Sequence, residues 1–227
     1  MTSITDVYIL NIETSTKNCS VSLAKNGTTI ALREIAEEGY SHAEKLHVFI
    51  EEIIKESKIK LTNLNAVAIS QGPGSYTGLR IGVSSAKGLC FALHIPLIAI
   101  DTLQSLAAQL HGTKGVIMPM LDARRMEVFT ASYNEKLEQT TAVTAEIITE
   151  NSFQDTTKTL HLIGDGAPKC KPILRQPHFV YHDEIKYPSA REMSRLSFEK
   201  YKKSDTVDVA YFEPLYGKDF LLTSKKS

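Results

Sequence analysis

Residues 66–93, AVAISQGPGSYTGLRIGVSSAKGLCFAL, constrain the fold more than any other part of the chain. The first five, AVAIS, are a short uncharged run of the kind that forms a buried strand. Gly, Pro and Ser then punctuate the chain at residues 71–75, which reads as a sharp turn. From about Tyr76 to Leu93 the pattern is helical. A buried strand running straight into a long helix is half of a parallel crossover unit. The chain must therefore hold an α/β layer with further strands beside this one.

Those strands are legible. Residues 7–12 (VYILNI), 19–24 and 28–35 read as three strands, and Asn26-Gly27 joins the last two as a hairpin. Residues 41–57 place Ala43, Leu46, Phe49, Ile50, Ile53 and Ile54 at helical spacing, with Ser41 and Glu44 as a capping box. Residues 96–100 (PLIAI) form another strand, and Asp101 or Thr102 caps a helix running to about residue 110. The second half starts alike. Strands are predicted at 116–121, 127–133 and 139–144, with a turn at Asn134-Glu135-Lys136 before the third. A helix at 145–153, a strand at 160–163, a turn at Gly164-Asp165-Gly166 and a helix at 189–201 follow. Two meanders of three strands, each followed by helix and strand, predict a duplicated α/β fold with a mixed sheet in each half. The expected division is 1–111 and 112–227, with the last helix packing back on the first half.

Composition narrows the function classes. Lys+Arg and Asp+Glu number 26 each in 227 residues, so the formal net charge is zero. A chain that grips a phosphate backbone unaided carries a basic excess. Cys19, Cys90 and Cys170 are isolated and form no CxxC, which fits a reducing compartment. No apolar stretch suggests a signal peptide or a membrane span. A cytoplasmic protein is expected.

The Gly-rich loop lies between strand and helix, where unpaired amides and the helix dipole suit an anion. It lacks the Gly-Lys-Ser/Thr of a Walker A loop and is not GxGxxG. With the Glu13-Thr14-Ser15-Thr16 segment after the first strand it gives an anion-site set of Thr14, Ser15, Gly72, Gly74 and Ser75, against a plain reading of tight turns. The helix beyond the loop shows Gly78, Gly82 and Ala86 at i, i+4, i+8, with Ser85 and Leu89 beside them. Small residues let another backbone approach closely. Ser84 and Gly88 form a second small stripe, so one face can pack inside and the other against a partner. His42 and His47, five apart on a helix, cannot clamp one ion. His178 and His182 lie on a predicted strand, their rings roughly 13 Å apart. No metal site is expected. Asp122-Ala123-Arg124-Arg125 ends a strand, suited either to phosphate or to pairing within itself.

Three segments, ILNIETSTKNCSVSL, QGPGSYTGLRIGVSSAKGLCFAL and MLDARRMEVFTASY, resemble the TsaB (YeaZ) family over roughly the first 135 residues, and FEPLYGKDF is similar to that family's closing segment. The resemblance implies an actin-like ATPase (ASKHA) fold of two ribonuclease-H-like lobes. It implies a non-catalytic role in forming N6-threonylcarbamoyladenosine at position 37 of tRNAs that read codons beginning with A. The partner would be a TsaD-like catalytic paralogue, joined by a TsaE-like ATPase, with tRNA met only through the complex and a homodimer formed when the chain is alone. The paralogue-facing surface would come from the two helices of the first lobe, here Leu46, Phe49, Ile53, Gly78, Arg80, Gly82, Ser85, Ala86 and Leu89. No catalytic residue or metal is implied. No cofactor is expected on the isolated chain, and a nucleotide at the partner interface stays open. Glu13 stands where many relatives have Asp, and Gly217-Lys218 departs from the usual aliphatic residue and Arg. An ATP-binding phosphotransferase of the same fold is the rival reading.

Overall fold

Three strands open the computed structural model, which describes residues 6–36, 42–154 and 156–216. They are β1 (Tyr8–Glu13), β2 (Cys19–Lys25) and β3 (Thr28–Ile35), an antiparallel meander. Asn26 and Gly27 both take positive φ, 52° and 82°, the backbone that a two-residue turn between right-twisted strands needs. Helix α1 (His42–Glu56) follows, then β4 (Ala66–Ser70), α2 (Tyr76–Leu93), β5 (Leu97–Ile100) and α3 (Thr102–Ala107). Strand β4 lies parallel to β1, and β5 parallel to β4. The second half holds β6 (Val116–Asp122), β7 (Glu127–Thr130), β8 (Thr144–Ile147), β9 (Leu160–Ile163), β10 (Phe179–Tyr181) and α4 (Ala190–Lys202).

Each half is a five-stranded sheet. The first runs β3-β2-β1-β4-β5 and the second β8-β7-β6-β9-β10. These are the same order: an antiparallel meander with two parallel strands added beside its first member. Two copies of this ribonuclease-H-like sheet make the actin-like fold expected from the sequence. Asp101 is the cap of α3, its carboxylate accepting from the Gln104 amide at 2.9 Å.

Burial follows the strand alternation. Leu10, Ile12, Val67 and Ile69 pack with Leu46, Ile50 and Ile53 of α1 and Val83, Ala86 and Cys90 of α2. On the opposite face, Ile9, Ala66, Ala68, Ile98 and Ile100 pack with Ala190 and Met193 of α4. The C-terminal helix thus covers the first sheet. Its contact is partly polar: Ser22 Oγ donates to the Ala190 carbonyl at 2.6 Å, and Ser197 Oγ donates to Asn11 Oδ1 at 2.7 Å. These bonds explain why apolar strands carry Asn11 and Ser22 at buried positions. Beyond α4, Val207 bridges Leu97 on the edge of the first sheet, Lys87 Nζ holds the Ala210 carbonyl at 2.9 Å, and the Leu215 amide donates to the Gln71 carbonyl at 2.7 Å.

Two expectations for the second half are corrected. The third strand is not 139–144, and 145–153 is not a helix. Instead Tyr133 bridges Gln139 across a turn in which Asn134 Oδ1 accepts from the Lys136 and Glu138 amides. The strand comes later, as β8, paired antiparallel with β7 from Thr130↔Thr144 to Glu127↔Ile147. The open edge of β7 claims this segment, and its two β-branched ends suit a strand. Ser41, the predicted cap of α1, and Gly217 and Lys218 lie outside the described residues. No described helix is long and apolar enough to cross a membrane.

Candidate functional site

The Gly-rich loop is the meeting point of three backbone segments. Gly72 takes φ 103°, a conformation that L side chains rarely adopt, and a Cβ there would collide with the Leu215 carbonyl oxygen. Its amide donates to Thr102 Oγ1 at 3.1 Å, and its carbonyl accepts from the Thr102 amide at 3.1 Å. The Ser75 amide is spent on the Ser15 carbonyl at 2.6 Å. Ser75 itself caps α2, its hydroxyl accepting from the Gly78 amide at 3.2 Å.

The turn between β1 and β2 is closed in the same way. The Ser15 amide and hydroxyl both donate to Glu13 Oε1, at 2.7 and 2.5 Å. The Asn18 amide donates to Thr16 Oγ1 at 3.3 Å, and Thr14 Oγ1 donates to the Gly78 carbonyl at 2.8 Å. Of the predicted anion-site residues, Ser15, Gly74 and Ser75 line a cleft of about 650 Å³ between the halves, across from Asp122, Arg124 and Asp165. Thr14 and Gly72 are buried and do not line it.

Glu13 sits beneath this turn, fully buried. Burial pushes its carboxyl up to about 7, against the opposing pull of the Ser15 hydrogen bonds. Ser70 adds a weaker pull, yet Glu13 Oε2 has no partner in hydrogen-bonding geometry. Burial likewise raises Asp165 above the ordinary carboxylate range. A nucleotide's metal and phosphates would need accessible acids and free amides at this end of the cleft. Glu13 is sealed, and the Ser15, Asn18, Gly72 and Ser75 amides are engaged within the chain, so these groups are not free to hold them.

The small-residue stripe is the largest correction. Gly78, Gly82 and Ala86 are buried. A Cβ on Gly78 would strike the Thr14 carbonyl oxygen, and one on Gly82 the Thr14 hydroxyl. The stripe seats α2 against its own sheet. Leu46 and Ile53 are core residues of the same lobe, each 0% exposed. Phe49 and Leu89 lean against that core, and Ser85 bonds His47 at 3.3 Å across the two helices. Arg80 is exposed, stacked over Tyr76 with its guanidinium carbon 4.4 Å from the ring centroid.

The second stripe faces outward. Ser84 and Gly88 are exposed, and a Cβ at Gly88 meets nothing within 4 Å. Phe91, one turn on, is 77% exposed, and Val48 on α1 is 47% exposed. The spacing of Ser84 and Gly88 signals this face, but a small-residue stripe alone offers no reason to prefer it over the inner one. Among the described residues no group of three His, Cys, Asp or Glu side chains could hold a metal ion.

Comparison with known proteins covers most of the chain. Residues 34–211 match the family model for TsaD, tRNA N6-adenosine threonylcarbamoyltransferase. The chain is 30% identical to tRNA threonylcarbamoyladenosine biosynthesis protein TsaB of Escherichia coli (strain K12), over 92% of this chain and 93% of that one. It is 33% identical to the TsaB of Buchnera aphidicola subsp. Schizaphis graminum, over 86% and 95%. The solved structure of YeaZ from Pseudomonas aeruginosa superposes with a TM-score of 0.78 at 25% identity, covering 92% of this chain and 99% of that one. Identity sustained over nearly the whole length, on the duplicated sheet and closed Gly-rich loop described above, places this chain in the TsaB (YeaZ) family.

Proposed function

We propose that this chain is the non-catalytic partner of a TsaD-type threonylcarbamoyltransferase in making N6-threonylcarbamoyladenosine in tRNAs that read codons beginning with A. The carrying observation is Gly88. A glycine inside a helix costs about 1 kcal/mol relative to alanine, and nothing within this chain requires its missing Cβ. A second backbone approaching from outside does. Exposed Ser84 beside it and Phe91 one turn away supply the small and large contacts of a helix-on-helix interface. In this reading α1 and α2 pack on the paralogue's equivalent helices, a TsaE-like ATPase joins the pair, and tRNA is reached through the complex. Without the paralogue the same face pairs two copies of this chain.

The test is co-purification with the TsaD of the same organism. Gly88→Arg and Phe91→Asp should each abolish the complex while the free chain stays folded, Gly88→Arg melting no lower than the parent. If both variants bind normally, α2 does not carry the interface. Reconstituted threonylcarbamoyl transfer that runs at full rate without this chain would overturn the functional reading itself. The rival phosphotransferase requires a working nucleotide cleft. Calorimetry with ATP and Mg²⁺ separates the two, since micromolar binding with turnover by the isolated chain would sink the non-catalytic role. Nucleotide bound only once the paralogue is added would place it at the shared interface.

A further inference from the structure

Tyr211 and Phe91 are the two most exposed large apolar side chains among the described residues, at 85% and 77%. Scattered singly, such residues are ordinary surface. These two flank one lysine. Phe91 lies one helical turn beyond Lys87 on the same face of α2. Lys87 Nζ donates to the carbonyls on either side of Tyr211, those of Ala210 at 2.9 Å and Phe212 at 3.2 Å.

The turn that carries Tyr211 is fastened at its start as well. Asp208 Oδ1 accepts from the Ala210 amide at 2.7 Å and the Tyr211 amide at 3.0 Å, and the Asp208 carbonyl accepts from the Phe212 amide at 2.9 Å. Val209 and Phe212 lean on the core of the first lobe, while Tyr211 stays outside. Holding an exposed ring in a fixed turn buries nothing in the free chain. It lowers the ordering cost that a partner meets when it uses the ring. The interface proposed for α1 and α2 also needs more surface than its helices provide. A stable interface of standard size takes about 20–30 residues a side. The exposed positions of the two helices together fall short of that, and residues 207–216 border them on the Lys87 side.

We propose that Tyr211 is a preformed anchor for the TsaD-type partner, whose footprint runs from α2 across Lys87 onto the segment after α4. The inference rests on the α2 interface and extends it to a part of the chain that the helices do not include. The partner face that fits is apolar opposite Phe91 and the Tyr211 ring, and it carries a hydrogen-bonding group for the Tyr211 hydroxyl.

Calorimetric titration of the full chain into the TsaD of the same organism tests this. Tyr211→Ala should weaken binding about tenfold or more and leave the melting of the free chain unchanged. Lys87→Met frees the turn and should weaken binding too. Tyr211→Ala added to Lys87→Met should then cost less than it does alone, because the ring is no longer held in place. If Tyr211→Ala binds within twofold of the parent while Phe91→Asp still abolishes the complex, the anchor is wrong and the α2 interface stands. Normal binding by Phe91→Asp as well removes the α2 interface itself, and the anchor with it. A Tyr211→Ala loss as large in the Lys87→Met chain as in the parent overturns the preformed turn. A loss confined to self-association of the free chain, read by analytical ultracentrifugation, gives Tyr211 to a second copy and overturns the assignment to the paralogue.

Discussion

Glu13 shows how one side chain can set the pH response of the molecule. Its carboxyl titrates near 4.5 in the unfolded chain and at about 7 when buried. Below pH 4.5 both states hold the proton and Glu13 adds no pH dependence. As pH rises from there, the unfolded chain releases its proton first, so stability falls until the folded carboxyl also ionises near 7. The ceiling on this loss is roughly 3 kcal/mol. Asp101, Asp165 and Glu192 are raised by burial too and act in the same direction. Urea unfolding of Glu13→Gln should therefore show a flatter decline between pH 5 and 7.5 and a higher midpoint than the parent at pH 8. An unchanged pH profile would mean that Glu13 is ionised and satisfied in the folded state. The residue type was readable in the sequence, but its sealing was not, because the Ser15 and Ser70 contacts that enclose it come from two different strand ends.

At the scale of the element, α2 is a helix with two smooth sides and opposite fates for substitutions on them. Gly82→Leu and Ala86→Arg enlarge a face pressed on β1 and β4, and each should cost about 3 kcal/mol or more and leave little folded protein. Gly88→Ala lies on the free side. It should raise the stability of the isolated chain by up to about 1 kcal/mol in thermal unfolding while weakening capture of the paralogue. The sequence supplied the span Tyr76–Leu93 and both stripes, because helical periodicity and the Gly-Pro-Gly punctuation are local signals. It could not supply the phase, since small residues at i, i+4 look alike whether the approaching backbone belongs to the same chain or another. The Thr14 carbonyl and hydroxyl decide it, and they sit more than sixty residues away. Strand β8 was missed for a related reason. Its sequence TAEI is weakly patterned, and only the edge of β7 makes it a strand.

For the whole molecule, the division into 1–111 and 112–227 follows the repeat of the two sheets, and α4 of the second part packs on the sheet of the first. The duplicated order of strands was legible from two meanders with similar sequels. The crossing of α4 onto the first sheet had no local signature beyond the buried serines on its inner side. A fragment of residues 1–111 lacks the helix that covers Ile9, Ala66, Ile98 and Ile100. It should give no cooperative melting transition in calorimetry and should bind a hydrophobic dye, and adding the second half in trans should reduce that binding. A fragment that melts as sharply as the full chain would show that the first lobe is self-sufficient. The same crossing sets an order of events during synthesis. The first sheet's inner face is complete at Ile100, but its cover begins at Ala190 and the strap on its edge only at Val207. At elongation speeds of about 5–20 residues per second, that face waits roughly 5–20 seconds on the ribosome for its lid. A nascent chain paused between those points is a ready client for chaperones, and slow codons there should lower the soluble yield without changing a single residue.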